Sequence, residues 1–189
     1  KEQTLTTAGG IFIIKRIHWN KIHGMKTKYR KHQDMDLTLR LSSMGIKTIQ
    51  IPNLICLHYT IDYLNDSRMW HHVLTGYELY PGMFFRNHIF CIKLLFRLLR
   101  MSYTSIFLLV TLLILIVNKN FFLFAFLIYI LALLVRSFMN TLNAAILGKS
   151  RLVFYFERFV FLLIRDIMFW MGFFFFWPRE KKIKYAKID

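Results

Sequence analysis

Residues 101–135 read MSYTSIFLLVTLLILIVNKNFFLFAFLIYILALLV, and this stretch decides the fold of the second half of the chain. Two uncharged runs, 101–117 and 121–135, are separated only by the polar residues 118–120. A helix needs about 20 apolar residues to cross roughly 30 Å of hydrocarbon. Because the link is so short, and because backbone groups in lipid must be satisfied within a helix, the sequence predicts a tight transmembrane hairpin over residues 101–139.

Basic segments flank this predicted hairpin on both sides. Residues 86–100 interleave Lys and Arg with large apolar side chains, as in an amphipathic helix that lies in the membrane interface with its cations on headgroups. An ordinary surface helix shows the same pattern, and the position beside a span favours the interface. Residues 140–158 are predicted to be a basic loop and residues 178–189 a basic tail. Because cations collect on the cytoplasmic side, both flanks and the tail are predicted to be cytoplasmic.

Residues 159–177 form a third apolar segment, with Arg165 and Asp166 in its middle. A charge at the centre of a membrane helix costs about 2.5–3.5 kcal/mol on insertion scales. Two interpretations follow. Either the segment spans and its charges pair with each other or with another helix, or it is re-entrant or interfacial. Three full spans would leave the basic tail outside the cytoplasm, in conflict with the charge rule.

The composition indicates what the chain binds. It is 56% hydrophobic with a formal net charge of +16, whereas soluble domains are about 45–50% apolar. A chain this basic binds either nucleic acid or an anionic membrane surface. Its cations flank apolar runs and do not line one face together with stacking aromatic side chains. Membrane lipids are therefore the predicted partner, and nucleic acid is not.

The polar residues 1–85 are predicted to be an α/β half domain, followed by an all-α transmembrane hairpin and a third apolar helix. Residues 11–14 and 54–59 are short apolar runs that predict buried strands, and residues 46–51 alternate between apolar and polar side chains. About 85 residues are too few for a complete nucleotide-binding α/β domain. Because the chain begins at Lys1 and its first residues already resemble the middle of a domain, we expect a piece of a longer protein.

A helix is predicted within residues 33–45, which read QDMDLTLRLSSMG. Asp34 stands at the N-cap position and Gly45 at the C′ position, just past the last helical residue. One face of this helix is predicted to hold three apolar residues with the spacing i, i+4, i+7, namely Leu37, Leu41 and Met44.

The acidic start of this helix is a candidate for acid–base chemistry. Free N–H groups and the positive end of the helix dipole favour a negative charge at Asp34. A carboxylate at the mouth of a cleft can act as a general base. However, Asp is also common at N-caps with the purely structural role of capping the helix. Asp36 has an alternative of its own, because Arg40 lies four residues further along and can pair with it.

His58 is a second candidate, near the end of an apolar run. A histidine in this position is either a structural side chain or a metal ligand. A metal site needs further ligands, and the neighbouring sequence offers no spaced set of them.

Several of these features occur in an order that resembles the second half of the catalytic domain of family 2 glycosyltransferases of the GT-A type. That pattern has a paired-glycine turn, an acidic helix start with Asp-Leu and Arg-Leu, a downstream glycine and proline, and a strand ending in histidine. The similarity covers residues 7–60, and the apolar region behind it resembles the membrane-anchored members. The matching residues are Gly9, Gly10, the run 33–41, Gly45, Pro52, His58 and Tyr59.

The resemblance implies a membrane-bound enzyme that transfers a hexosyl or related glycosyl group, with inversion, from a nucleotide-sugar donor to a glycan or lipid-linked acceptor. Asp34 would be the general base that deprotonates the acceptor hydroxyl, with Asp36 and Arg40 in support. Such an enzyme would serve cell-surface polysaccharide biosynthesis. It would be a multi-pass protein of the cell membrane with its catalytic region in the cytoplasm.

The same resemblance implies that Gly9 and Gly10 bind substrate, since a backbone without Cβ allows close approach. His58 matches a position that helps to hold a divalent metal, Mg or Mn, on the donor diphosphate. Two departures stand out. Gln33 replaces the usual first acid, and the half of the domain that binds the nucleotide is absent. The chain alone is therefore expected to be inactive.

An alternative function is that of a non-enzymatic membrane scaffold or a transporter subunit. Arg165 and Asp166 favour this alternative, because ionisable residues inside membrane segments often mark a transport path. Sugar transfer and solute flux are the two activities that separate the alternatives.

Overall fold

The computed structural model describes residues 2–4, 13–50, 66–142 and 150–180. The chain divides into two compact units. The polar unit comprises Lys1–Ile61 and Trp177–Asp189, and the helical unit comprises Asp62–Phe176.

The polar unit contains two helices and two short strands among its described residues. They are β1 (Glu2–Thr4), α1 (Arg16–Lys21), α2 (Gln33–Ser43) and β2 (Thr48–Gln50). The two strands pair antiparallel, with Gln3 opposite Ile49. This short ladder joins two segments that are distant in sequence.

The predicted α/β half domain is wrong, because the described part of the chain is mostly α-helical. Strand pairing in these residues is confined to one antiparallel ladder of three residue pairs, whereas an α/β domain needs a mostly parallel sheet. β2 occupies the middle of the alternating run 46–51. Ile13 and Ile14, from the predicted strand 11–14, lie in an irregular segment before α1. The predicted strand 54–59 lies outside the described residues.

Helix α2 supplies the core of the polar unit, since so short a ladder cannot bury an apolar face. Leu37 and Leu41 are buried and pack with Ile22. The predicted apolar face is therefore confirmed for these two leucines. It is wrong for Met44, which is 42% exposed, because α2 ends one residue before it. The partly buried residues around this core are Ile14, Trp19, Met25 and Ile46.

Gly45 ends α2, as the sequence predicts. Its φ of +74° lies in the left-handed region, which glycine enters without a Cβ clash. The Gly45 N–H donates to the Ser42 carbonyl at 3.0 Å, and the Ile46 N–H donates to the Leu41 carbonyl at 3.0 Å. This pair of bonds is the Schellman motif, which satisfies carbonyls at the end of a helix.

The helical unit is built from six described α-helices and one 3₁₀ turn. They are α3 (Asp66–Leu74), the 3₁₀ turn (Tyr77–Leu79), α4 (Tyr80–Asn87), α5 (Ile92–Met101), α6 (Tyr103–Val117), α7 (Lys119–Leu142) and α8 (Arg151–Phe174). The last three carry most of the apolar sequence, and they pack against one another.

Helices α6 and α7 form an antiparallel hairpin, with Asn118 as the residue between them. The Thr111 hydroxyl donates to the Ala125 carbonyl at 3.3 Å, and Arg136 Nη1 donates to Thr104 Oγ1 at 2.5 Å. Both contacts join residues at similar distances on either side of the break, as two helices running in opposite directions require. The crossing of a membrane by this hairpin stays a prediction.

One described helix, α7, is by itself long and apolar enough to cross a membrane. Its 24 residues rise about 36 Å, against roughly 30 Å of hydrocarbon. Helix α6 has 15 residues and rises only about 22 Å. Helices α5 and α6 pass the same test as a pair, but a bend of 92° separates them.

Helix α8 is longer at its start than the sequence predicts. It begins at Arg151, inside the predicted loop 140–158, and runs unbroken to Phe174. The Ser150 side chain caps it by accepting a hydrogen bond from the Val153 N–H at 3.3 Å, which is the usual role of serine at this position. The polar residues of α8 therefore belong to one rigid helix.

Helix α8 packs on α7 through a small buried cluster of Tyr129, Leu133 and Leu162. The Ser137 hydroxyl reinforces this contact by donating to the Tyr155 carbonyl at 2.7 Å. Tyr129 is 1% exposed, so its hydroxyl lies inside the bundle formed by α6, α7 and α8.

Helix α4 contacts α8 at very short range, because each helix places a glycine at the contact. A Cβ on Gly82 would overlap the carbonyl oxygen of Phe169, and a Cβ on Gly172 would overlap that of Leu79. Backbone therefore lies directly on backbone here, and a larger residue at either position would force the two segments apart.

Arg86 closes the end of α8 from helix α4. Its Nη1 donates to the Phe173 carbonyl at 2.5 Å, and its Nη2 donates to the Phe176 carbonyl at 2.9 Å. The last carbonyls of a helix have no partner within the helix and form its negative end. A guanidinium group satisfies both requirements at once.

Candidate functional site

The predicted acidic site lies in the first turn of α2. The helix begins at Gln33, and His32, with a φ of +68°, occupies the N-cap. The prediction of Asp34 as the N-cap is therefore wrong by two positions, and Asp34 is the second helical residue. It is half-buried, and its Oδ1 accepts from the Met35 N–H at 2.9 Å. It still lies in the turn where the dipole favours negative charge.

The backbone around Asp34 is held by its neighbours. The Thr38 hydroxyl lies 3.0 Å from the Asp34 carbonyl, to which it donates. Gln33 Nε2 donates to the carbonyl of Tyr29, a residue with no exposed surface. Among the described residues, Asp34 Oδ2 has no hydrogen-bond partner. One carboxylate oxygen thus binds the helix backbone, and no described residue binds the other.

Asp36 has a different environment, although it is only two residues away. It is completely buried, and its Oδ2 lies 2.8 Å from Arg40 Nε. The same guanidinium donates to the Ile22 carbonyl at 2.6 Å and to the Gly24 carbonyl at 2.8 Å. The predicted pair of Asp36 and Arg40 is confirmed. Its charges are compensated by a close ion pair with further hydrogen bonds, as a buried pair requires.

Gly24 allows the turn after α1 to form these hydrogen bonds with Arg40. Its φ is +68°, and a Cβ on it would lie 2.8 Å from the Trp19 ring. Only glycine combines this backbone conformation with such close packing. The turn after α1 can therefore direct its carbonyls at Arg40.

The remaining predicted site residues are Gly9, Gly10 and His58, which lie outside the described residues. The structure thus brings together the acidic start of α2 and Arg40, and leaves the substrate-binding glycines and the metal ligand as predictions. No group of three His, Cys, Asp or Glu side chains in the described segments could hold a metal ion. The described residues do not provide the implied metal site.

A second buried carboxylate lies in the helical unit. Asp166 has no exposed surface, and its Oδ1 accepts from the Ser105 hydroxyl at 2.7 Å. Arg165 Nη2 is 3.9 Å from the same oxygen, too far for a hydrogen bond. Of the two pairings predicted for this charge, the one with another helix is the close one.

Several polar atoms around Asp166 lack a hydrogen bond of normal geometry within the described segments. They are the Tyr129 hydroxyl, Arg165 Nη2 and Asp166 Oδ2, all buried. The Tyr129 hydroxyl is close enough to interact electrostatically with the Asp166 carboxylate. The charged pair is recognisable in the sequence. Ser105 and Tyr129 are not, because their proximity to Asp166 depends on how three helices pack. A group of unpaired polar atoms in an apolar bundle is the usual sign of a bound water or ligand.

Polar contacts also hold the corner where α5 meets α6. Arg136 donates to the Met101 carbonyl and to the Thr104 hydroxyl. Trp170 Nε1 donates to the Ser105 carbonyl at 2.6 Å. Helices α7 and α8 therefore each fix the corner, and with it the direction in which α5 leaves α6.

Comparisons of the chain with protein-family models, with curated proteins and with solved structures find no match.

Proposed function

We propose that the chain is part of a membrane-bound glycosyltransferase, which moves a sugar from a nucleotide-sugar donor to a glycan or lipid-linked acceptor with inversion. The observation that carries this proposal is the carboxylate of Asp34, half-buried in the first turn of α2, with one oxygen that no described residue binds. The reaction class comes from the sequence resemblance around this residue.

In the proposed reaction, the acceptor hydroxyl gives its proton to Asp34 Oδ2. The acceptor oxygen forms a bond to the anomeric carbon on the side opposite the donor diphosphate. The bond from that carbon to the diphosphate oxygen breaks, and the electron pair leaves with the diphosphate. Attack from the opposite side inverts the anomeric carbon. A positioned general base contributes typically about 10²–10⁴-fold in rate.

Asp36 and Arg40 support this site by positioning it. The ion pair between them and the bonds from Arg40 to the carbonyls of Ile22 and Gly24 fix α2 to the turn after α1. Neither carboxylate oxygen of Asp36 is exposed, so Asp36 is not a second base. Gly9, Gly10 and His58 keep the substrate-binding and metal-binding roles that the resemblance implies.

The proposed enzyme is a multi-pass protein of the cell membrane with its catalytic region in the cytoplasm. Helix α7 meets the length and hydropathy of a span, and the hairpin with α6 supplies a second apolar helix of lower length. Basic residues on both sides of the hairpin favour a cytoplasmic location for its two ends. A lipid-linked acceptor would then lie at the height of the headgroups.

The experiment is sugar transfer by the complete protein in membranes that supply the acceptor, with the Asp34→Asn variant. We expect turnover to fall about 10²–10⁴-fold, because the amide cannot accept the hydroxyl proton. The matched control is Ser43→Ala, an exposed position in the last turn of α2, and it should transfer sugar at the parent rate. Parent turnover in Asp34→Asn would reject the assignment of the base.

A transporter subunit is the second candidate, and the Asp166 site is the observation that favours it. A buried carboxylate that has an oxygen without a hydrogen-bond partner among the described residues, close to the hydroxyl of Tyr129, is a feature of ion and proton paths in membrane helices. Flux of protons or small cations into liposomes that contain the protein, abolished by Asp166→Asn, would support transport. Flux equal to that of empty liposomes would exclude it.

A further inference from the structure

Helix α5 carries three different faces on its ten residues. Its buried side is marked by Leu94, which is only 7% exposed. A second face is apolar and exposed, at the spacing i, i+3, i+4, i+7, and consists of Ile92, Leu95, Phe96 and Leu99. A third face is cationic, at the spacing i, i+4, i+7, and consists of Lys93, Arg97 and Arg100. At 3.6 residues per turn, the cationic and exposed apolar faces lie roughly a third of the way around the helix from each other.

The apolar face of α5 is exposed and therefore requires a binding partner. Ile92 and Phe96 are 68% and 65% exposed, and Phe90, just before the helix, is also exposed. Soluble surfaces rarely carry contiguous apolar patches of this kind unless they bind something. Because a row of cations lies beside this face, the binding partner must have both an apolar part and an anionic part.

The direction of α5 is fixed by its neighbours. It meets α6 at a bend of 92°, and Arg136 holds that corner through the Met101 carbonyl and the Thr104 hydroxyl. If α6 runs along the membrane normal, as the proposed hairpin requires, α5 must lie in the plane of the membrane. An in-plane helix meets acyl chains on one side and headgroups on the other.

The surrounding sequence favours anionic headgroups. No acidic residue occurs between Glu78 and Glu157, and several Lys and Arg residues do. Neighbouring carboxylates in this part of the sequence therefore do not compete for Lys93 and Arg100. Anionic lipids of the cytoplasmic leaflet attract basic segments next to a membrane helix.

We infer that α5 is a headgroup-binding helix, which inserts its exposed apolar face among acyl chains and binds the phosphate groups of anionic phospholipids with its cationic face. The inference rests on the membrane insertion in the proposed function, and it is independent of the sugar-transfer chemistry. It assigns a lipid surface as the partner of the Ile92–Phe96 face.

The first test measures depth. Single spin labels are placed at positions 92, 96, 93 and 100 of the complete protein, after Cys56→Ser and Cys91→Ser, in liposomes with about a third phosphatidylglycerol. We expect labels at 92 and 96 to collide mainly with oxygen, and labels at 93 and 100 to collide mainly with a water-soluble nickel chelate. Equal accessibility on both faces, or labels at 92 and 96 shielded from both reagents by protein, would overturn the inference.

The second test measures lipid preference. Association of spin-labelled phosphatidylglycerol with the protein is compared with that of spin-labelled phosphatidylcholine. In the double variant Lys93→Gln, Arg100→Gln we expect the preference for phosphatidylglycerol to fall at least about threefold. The charge-keeping control Lys93→Arg, Arg100→Lys should retain it. An unchanged preference in the Gln variant would overturn the headgroup assignment.

These readouts do not depend on turnover. A failure of either lipid test would leave the role of Asp34 standing, and an active Asp34→Asn variant would leave the lipid assignment standing.

Discussion

Asp36 in the polar unit and Asp166 in the helical unit are both completely buried, yet their surroundings differ. Asp36 meets a guanidinium at 2.8 Å from its own helix. Asp166 meets a serine hydroxyl at 2.7 Å from another helix, while its nearest cation is 3.9 Å away and poorly placed.

The difference shows what each carboxylate can do. A buried charge with a close, hydrogen-bonded partner of opposite charge stabilises the fold, because removal of either partner leaves the other charge buried and uncompensated. A buried carboxylate with a free oxygen can still bind something. Asp34 shares that second property with Asp166, since one of its oxygens lacks a partner in the described segments, but Asp34 is half-buried and so can be reached by a substrate.

The largest effect on stability is expected from Arg40→Ala. The change leaves Asp36 as a buried charge without its guanidinium and frees the carbonyls of Ile22 and Gly24. We expect a loss of about 3–5 kcal/mol in the free energy of unfolding of the polar unit. The protease resistance of residues 13–50 during urea denaturation measures it. A loss below about 1 kcal/mol would mean that the ion pair between Asp36 and Arg40 contributes little to the stability of the polar unit.

A smaller but clear effect is expected from Gly172→Ala, which tests the close packing of α8 against the 3₁₀ turn before α4. The added methyl group overlaps the Leu79 carbonyl, and overpacking of this kind costs typically about 1–3 kcal/mol. The thermal midpoint of the complete protein in detergent measures it. Met171→Ala, at an exposed neighbouring position, is the control and should change the midpoint less. Equal midpoints for both variants would contradict the close contact of α8 with the 3₁₀ turn before α4.

The smallest stability effect is expected from Ser105→Ala, which removes one hydrogen bond from Asp166. A single intramolecular hydrogen bond contributes about 1 kcal/mol. In a double-mutant cycle with Asp166→Asn, we expect a coupling of at least about 0.5 kcal/mol. Strict additivity of the two changes would show that the contact between α6 and α8 contributes nothing.

Local features of this chain could be predicted from its sequence, and contacts across the fold could not. The pairing of Asp36 with Arg40 and the end of α2 at Gly45 depend on residues within one helix, so spacing alone predicts them. The bonds from Arg40 to the Ile22 and Gly24 carbonyls depend on how a turn packs against the helix, and no periodic signal reports that.

The wrong α/β prediction has a similar cause. A short apolar run has the same pattern in a buried strand, in a helix or in an irregular segment, and Ile13 and Ile14 belong to the last kind. The bond between Ser105 and Asp166 joins positions 61 residues apart. The charge of Asp166 indicated that a partner exists, but only the packing of α6 on α8 identifies it.

The most direct test is a paired measurement of turnover and unfolding midpoint for Asp34→Asn and Asp36→Asn in the complete protein. We predict that Asp34→Asn changes the free energy of unfolding by no more than an ordinary surface change, about 0.5 kcal/mol, so that its midpoint is nearly unchanged, and that it loses about 10²–10⁴-fold in turnover. Asp36→Asn should instead lower the midpoint. Full turnover in a folded Asp34→Asn protein would contradict the claim that this carboxylate is the base.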